Sequence, residues 1–203
     1  MQVILPDLNA PARFILDPSE SLSDDEFFRL CAANRDLRIG RSAKGDIILS
    51  PRVGCESDYR NMEVSAQLHQ WAKLDGRGKV FGPSAEFILP SGAGYSPDAC
   101  WVSNESLAKF SKEQRRKFLP LAPEFVVEVL SPSDRLNAVK EKMKEWIANG
   151  SQLGWLIDAD NQTIYVFKPN QAAPVTVVGV STLAGEGPID GFTIELDAVW
   201  AGL

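Results

Sequence analysis

Histidine and cysteine are scarce in this sequence. It contains one histidine, His69, and three cysteines, Cys31, Cys55 and Cys100, none of which belongs to a Cys-x-x-Cys pair. A zinc site built from several histidines and a serine–histidine–aspartate triad therefore have little support. Scattered cysteines in odd number are typical of reduced thiols, so we expect a cytoplasmic protein.

Long apolar runs are also missing. No stretch approaches the ~20 consecutive apolar residues that a membrane-spanning helix needs. The N-terminus has no basic start followed by a long apolar run, which a signal peptide requires. Apolar residues nevertheless make up 44% of the 203 residues, which is enough for one buried core. We therefore expect no membrane partner.

The charge balance is acidic, with a formal net charge of −6. This value argues against a surface that is basic throughout, the kind that nucleic acids favour. The basic residues are clustered, however, and one segment, residues 109–117, carries five of them beside the single acid Glu113. These five are Lys109, Lys112, Arg115, Arg116 and Lys117. Such a basic segment is either a solvated face or a contact surface for a polyanion, and the sequence leaves both open.

The hydrophobic patterns predict an α/β fold. Amphipathic periodicity indicates helices at about 58–74 and 134–149, and a short helix near Phe27. Strands are predicted at 79–89, 96–103 and 124–130, in hairpins at 37–49 and 155–168, and in the tail at 175–180 and 192–196. Residues 1–20 are rich in proline and predict an extended arm. Residues 21–203 then form one domain, a mixed sheet flanked by helices with hairpins added at both ends.

One carboxylate stands inside a strand that is apolar on both faces. Residues 124–130 read Glu-Phe-Val-Val-Glu-Val-Leu, which is typical of a central strand covered on both sides. By alternation Glu128 shares its face with Val126 and Leu130. A buried carboxylate is costly unless it pairs with a metal ion or a lysine. The alternative is that Glu128 lies at the end of the strand and reaches solvent.

A second carboxylate begins a neighbouring strand. Pro97 marks the start of the strand at 96–103, since proline cannot donate within a ladder, and Asp98 follows it directly. Two converging carboxylates repel each other, and a hard cation such as Mg²⁺ relieves that repulsion. Such a cation also activates water and neutralises the charge on a phosphate. Asp98 and Glu128 are therefore the candidate metal-binding acids.

These residues resemble a known nuclease pattern. Pro97-Asp98 followed by Glu128-Val129-Leu130 is similar to the PD-(D/E)XK motif, with leucine in place of the final lysine. The wider text SPDACWV, PEFVVEVLSPSD and KEKMKEWIANGSQLGWLID resembles the Uma family of restriction-endonuclease-like proteins. The resemblance runs from about residue 21 to the end. It also includes Asn61-Met62-Glu63, Lys79-Val80-Phe81-Gly82 and Gly191-Phe192-Thr193-Ile194.

The resemblance implies a fold, an activity and a set of site residues. The fold is a restriction-endonuclease-like core, a mixed sheet between two helices. The activity is an endonuclease, dependent on Mg²⁺ or Mn²⁺, that hydrolyses phosphodiester bonds in DNA. Asp98, Glu128 and the backbone carbonyl of Val129 match the metal ligands of the superfamily. Glu63 matches an assisting acidic residue on the first core helix; an ordinary exposed glutamate is the alternative.

The missing lysine of the motif needs a substitute. Leu130 cannot supply an ammonium group, and the resemblance aligns a lysine of the following helix, Lys142, with this role. Helical phasing at about 100° per residue places both Lys140 and Lys142 beside the buried stripe around Val139. Phasing therefore does not choose between the two lysines, whereas the resemblance favours Lys142.

A rival reading is a binding module that keeps the nuclease fold without catalysis. The net acidity and the displaced lysine favour a nucleic-acid- or protein-binding role of this kind, whereas the retained acids favour the enzyme. The apolar hairpins and the aromatic tail are compatible with a homodimer. The sequence does not establish the oligomeric state.

Overall fold

The computed structural model of the protein describes residues 12–14, 22–50 and 52–203. Its helices are α1 (Asp24–Ala33), α2 (Cys55–Asp75), α3 (Asn104–Ala108), α4 (Leu136–Ala148) and α5 (Asp197–Ala201). Its strands are β1 (Ala12–Phe14), β2 (Arg38–Arg41), β3 (Ile47–Ser50), β4 (Gly78–Phe81), β5 (Phe87–Ile88), β6 (Gly94–Tyr95), β7 (Ala99–Ser103), β8 (Phe125–Val129), β9 (Leu153–Asp158), β10 (Thr163–Phe167), β11 (Val175–Val178), β12 (Thr182–Ala184) and β13 (Thr193–Glu195).

The main sheet is mixed, as the sequence predicts. Its described strands lie in the order β11-β10-β9-β8-β7-β4. β8 and β9 are parallel and are joined through α4, whereas the other neighbours are antiparallel. All five residues of β8 are buried. The predicted central strand is therefore correct, and the acid that it carries lies within the fold.

The two long helices cover opposite faces of this sheet. On one face, Val64 and Leu68 of α2 pack in a cluster with Val127. On the other, Met143 and Trp146 of α4 pack in a second cluster with Val126 and Cys100. Alternation in β8 sends consecutive side chains to opposite faces, so Glu128 lies on the α4 face. The mixed sheet with its two flanking helices confirms the predicted fold class.

A second sheet stands beside the first. Its described strands lie in the order β1-β3-β2-β6-β5, and α1 packs on it through Phe27, which clusters with Ile39, Ile47 and Ile88. The predicted hairpin at 37–49 corresponds to β2 and β3. The continuous strand predicted at 79–89 is wrong. The chain turns after β4 at Gly82, next to Pro83, which has no N–H for a ladder, and β5 then joins the second sheet.

Segments near both ends of the described part of the chain pack against the rest of the fold. The arm predicted at residues 1–20 lies outside the described residues except for β1, which pairs antiparallel with β3. Near the C-terminus the indole N–H of Trp200 donates to the Val180 carbonyl at 2.8 Å. The N–H of Leu203 donates to Glu56 of α2 at 3.1 Å. The second contact joins the last residue to α2.

Candidate active site

A cleft of about 1570 Å³ separates the second sheet from the main sheet. One wall is formed by α1 and β2, and the other by α4 and the end of β8. Basic side chains line both walls: Arg35, Arg38, Arg52, Arg135, Lys142 and Lys144. Acidic side chains are interspersed among them. The cleft therefore offers several cationic groups around a local acidic centre.

Asp98 and Glu128 form that acidic centre. The antiparallel register of β7 and β8 places Ala99 opposite Val127, so one residue further along Asp98 stands opposite Glu128. Oδ2 of Asp98 accepts the backbone N–H of Val129 at 2.9 Å. The two residues are only 9% and 6% exposed. The alternative in which Glu128 simply reaches solvent is therefore wrong.

Burial raises the pKa of both acids. Burial raises the pKa of Glu128 to about 7; the ammonium of Lys142 opposes the rise, and the neighbouring Asp98 adds to it. Burial likewise raises the pKa of Asp98, although the N–H of Val129 and the charge of Lys142 favour its ionised form. Both carboxyl groups thus lie in a setting where a further cation would stabilise the charged form.

Lys142 of α4 reaches this pair of acids. Its Nζ lies 2.6 Å from Oε1 of Glu128, which also accepts the indole N–H of Trp146 at 3.2 Å. The same ammonium donates to the carbonyl of Ser96 at 3.3 Å. Lys140, by contrast, places its ammonium 3.6 Å from the ring centre of Tyr165, a cation–π contact. The structure therefore brings Lys142, and not Lys140, to the acidic centre.

Glu63 does not complete a cluster of three acids. It lies on α2, where it accepts a hydrogen bond from the Tyr59 hydroxyl and thereby raises the pKa of that tyrosine. Within residues 12–14, 22–50 and 52–203, no group of three or more His, Cys, Asp or Glu side chains could hold a metal ion. Asp58 and Asn61 are the residues of α2 that line the cleft. The Oδ1 of Asn61 is buried without a hydrogen-bond partner in the described part of the chain.

Glu86 is a further carboxylate in the cleft that the sequence analysis missed. It directly precedes β5, and its Oε2 accepts the hydroxyl of Ser96 at 3.0 Å. Burial raises the pKa of Glu86 to about 7, whereas the hydrogen bond from Ser96 and the charges of Lys142 and two arginines lower this pKa. The same signal that marks Glu128, an acid in an apolar run, is present in Ala85-Glu86-Phe87-Ile88-Leu89.

The donor atoms at the centre suit a hard divalent cation. Two carboxylates and a backbone carbonyl, from Asp98, Glu128 and Val129, offer oxygen donors. Mg²⁺ is commonly held by one or two carboxylates, with water and substrate phosphate filling the remaining positions. A pair of acids without a third is therefore sufficient. Burial raises the pKa of both carboxyl groups, and a bound cation would stabilise their ionised forms.

Comparison with protein families assigns the chain. The family model described as "Putative restriction endonuclease", Uma2, matches residues 24–197. The chain belongs to the Uma2 family. This membership confirms the resemblance found in the sequence and supports a nuclease-like function.

A solved structure confirms the fold of this Uma2 member. It is the crystal structure of a putative nuclease belonging to DUF820 from Anabaena variabilis, with a TM-score of 0.73 and 19% sequence identity. The match covers 89% of this chain and 98% of that one. No curated protein shows significant sequence similarity to the chain. Among the described residues, no helix is both long and apolar enough to cross a membrane.

Proposed function

We propose that this protein is a Mg²⁺-dependent endonuclease that hydrolyses phosphodiester bonds in DNA, with Mn²⁺ as a substitute metal. The observation that carries the proposal is the arrangement of Asp98, Glu128 and Lys142. Two buried carboxylates face each other across neighbouring strands, and one ammonium group lies 2.6 Å from the second of them. Membership of the Uma2 family supports the same activity.

Asp98, Glu128 and the carbonyl of Val129 are the residues that would hold the metal. The bound ion would polarise the phosphate and lower the pKa of a water molecule. The protein's part is to fix the ligands. The Val129 N–H binds Oδ2 of Asp98, Arg38 lies 4.0 Å from Oδ1 of the same carboxylate, and the indole of Trp146 orients Glu128 from the covering helix. Preorganised ligands of this kind lose little freedom on binding.

Lys142 would supply the positive charge that Leu130 cannot. Hydrolysis builds negative charge on the phosphate, and a fixed ammonium beside it stabilises the transition state more than the ground state. Lys142 reaches the acidic centre from α4, which covers the face of β8 that carries Glu128. Glu63 would assist only indirectly, from its position beside Tyr59 on α2.

The surroundings of the cleft suit a polyanion. Arg35 and Arg38 line one wall, and Arg135 and Lys144 line the other, so phosphates on either side of the acids would meet cations. All five cationic residues of the basic segment 109–117 are exposed to solvent. One of these, Lys117, pairs with Asp25 of α1 at 2.8 Å, which places the segment beside the helix that lines the cleft.

A plasmid-nicking assay tests this proposal. Supercoiled DNA should be converted to the open form in Mg²⁺ or Mn²⁺ and should remain intact in a chelator. The variants Asp98→Asn and Glu128→Gln should lose the activity while keeping the circular dichroism of the wild type. Nicking that persists in the chelator or in both variants would show that this centre is not the active site.

The rival function is a binding module without catalysis. The Lys142–Glu128 ion pair favours it, because a carboxylate already neutralised by a lysine has less charge to offer a metal. The net charge of −6 favours a protein partner over nucleic acid. Wild-type protein that retards DNA on a gel but never nicks it, in either metal, would establish the nucleic-acid-binding form of this rival.

Self-association is part of the same proposal. β11 is the last described strand at one end of the main sheet, and Val175 and Val178 on it are 49% and 63% exposed. An edge strand with exposed apolar side chains can pair with a second copy. Sedimentation velocity of the wild type and of Val178→Lys tests this: the variant should be monomeric if the edge holds a dimer together.

A further inference from the structure

The β5–β6 hairpin brings Glu86 and Lys142 to the same serine. Phe87 pairs with Tyr95, so one residue further along each strand Glu86 stands opposite Ser96. The Ser96 hydroxyl donates to Oε2 of Glu86 at 3.0 Å, and its carbonyl accepts from Nζ of Lys142 at 3.3 Å. Ser96 therefore contacts both the carboxylate of Glu86 and the ammonium of Lys142.

One oxygen of Glu86 is left without a partner. Its Oε1 is buried and accepts no hydrogen bond from any described residue. A buried acceptor in this state is costly, most of all on a carboxylate. The other cations near Glu86 have partners elsewhere: Arg41 donates to Gly92, Leu22 and Asp24, and Arg38 lies 4.0 Å from Asp98. Lys142 is the cation that shares Ser96 with Glu86.

The ion pair between Lys142 and Glu128 conflicts with metal binding by Glu128. In this structure its ammonium pairs with Oε1 of Glu128 at 2.6 Å. In the function proposed above, Glu128 binds a divalent cation, and the ammonium and the cation would repel each other on one carboxylate. Leaving a partly buried ammonium without an acceptor would be costly. The lysine side chain has a flexible four-carbon stem and can reorient around the Ser96 carbonyl.

We propose that Glu86 is the second partner of Lys142. Once Asp98 and Glu128 hold a divalent cation, the Lys142 ammonium leaves Glu128, keeps its contact with Ser96 and pairs with Oε1 of Glu86. Glu86 is thereby a positioning residue that lowers the cost of metal binding and keeps Lys142 beside the cleft. This inference rests on the proposed metal-dependent function.

Calorimetric titration with Mg²⁺ alone tests it in a double-mutant cycle. The four proteins are the wild type, Glu86→Gln, Lys142→Met and the double variant. Glutamine can still accept the Ser96 hydroxyl, so the hairpin should stay folded. Glu86→Gln should weaken Mg²⁺ binding by up to about fivefold, the effect of one partly exposed ion pair. In the Lys142→Met background the same substitution should not change Mg²⁺ affinity, because the lysine that would pair with Glu86 is absent.

Glu145→Gln is the matched control. Glu145 also lies beside Lys142, on the same helix, but its two oxygens already accept the hydroxyls of Tyr95 and Ser91. The Glu145→Gln variant should therefore have the same Mg²⁺ affinity as the wild type. Equal weakening by Glu86→Gln in both backgrounds would overturn the inference, since Glu86 would then act by its charge alone. No weakening in either background would overturn it as well.

The failure of the proposed function would look different. In that case the wild type itself would bind no Mg²⁺, and this inference would fall with it. A second measurement needs no variant, and it decides the matter if Glu86→Gln does not fold. In a crystal structure of the wild type with Mg²⁺, Nζ of Lys142 should lie within ion-pair distance, about 4 Å, of Glu86. An ammonium still seated on Glu128 would contradict the exchange.

Discussion

The ammonium of Lys142 lies 2.6 Å from Oε1 of Glu128, although one residue belongs to a helix and the other to the central strand. The contact is possible because α4 covers the face of β8 to which Glu128 points. In the motif that the sequence resembles, the lysine lies two residues after the glutamate on the same strand. That position is Leu130 here, which packs at the edge of the hydrophobic cluster beneath α4. The helix α4 thus brings the Lys142 ammonium to the acids, at a site where the strand itself carries leucine in place of lysine.

Metal binding should stabilise the folded protein. Mg²⁺ or Mn²⁺ should raise the melting temperature by mass action on the native state, as measured by differential scanning calorimetry. The double variant Asp98→Asn with Glu128→Gln should abolish the shift. Glu63→Gln should keep it, because Glu63 contacts Tyr59 rather than the two acids. Equal shifts in the wild type and the double variant would remove the metal site from consideration.

The metal-free protein should lose stability as the pH rises. The pKa of Glu128 is about 7 in the folded state and near 4.5 when exposed, so folded protein holds a proton that unfolded protein releases. Its stabilising contribution is complete below pH 4.5 and lost as the pH passes 7. This pKa difference corresponds to about 3 kcal/mol in the free energy of unfolding.

Urea unfolding between pH 4.5 and 8, in a chelator, measures this slope. Glu128→Gln should reduce the slope over that range, because glutamine does not titrate, while Glu86, whose pKa burial also raises to about 7, maintains the remainder. Saturating Mg²⁺ should reduce the slope in the wild type as well, by favouring the ionised carboxyl of Glu128. Identical pH dependence in the wild type and in Glu128→Gln would contradict the raised pKa.

Lys142 and Lys140 should differ sharply in catalysis. Lys142→Ala should lower the rate of DNA cleavage by ~10²-fold or more, the loss seen when one preorganised charge-stabilising group is removed. DNA affinity should change little, since one cation among many is lost. Lys140→Ala should cleave like the wild type, because its ammonium lies over Tyr165. If the two variants exchanged their behaviour, the lysine would have to be reassigned.

The basic segment 109–117 should govern the salt dependence of DNA binding. Reversing Arg115 and Arg116 to Glu should reduce the slope of log affinity against log salt by about 2, one unit for each lost phosphate contact. The matched control reverses Lys73 and Lys79, which are exposed but belong neither to the segment nor to the cleft. A slope near zero for the wild type, or an equal effect of the control, would make the segment an ordinary solvated face.

The sequence predicted the strand-borne part of the site more completely than the rest. Pro97 and the alternation in residues 124–130 are local signals, and they place Asp98 and Glu128 on neighbouring strands. Helical phasing could not choose between Lys140 and Lys142. It gives the face of the helix that a residue occupies, but not the residues that pack against that face. The strand predicted at 79–89 failed at Pro83, where a local breaker outweighed an apolar pattern.

Two further residues of the cleft, Glu86 and Asn61, were not predicted as site residues from the sequence. Glu86 meets Ser96 only through the pairing of β5 with β6, which the prediction of one continuous strand excluded. On α2, Asn61 precedes Val64 by three residues and so shares its buried stripe, whereas Glu63 lies about 100° away from Val64. The buried position of a polar Asn61 was the available signal for the helix residue that lines the cleft.

The two walls of the cleft rest on hydrophobic clusters of very different size. The wall with Arg35 and Arg38 is held by a small cluster around Phe27 and Ile39, whereas Glu128 lies in a sheet buried between two large clusters. A unit with fewer buried contacts opens at a lower free energy. Amide hydrogens of β2 should therefore exchange with solvent faster than those of β8. A strand of nucleic acid could then enter by local opening of the arginine-bearing wall, while the paired carboxylates keep their geometry.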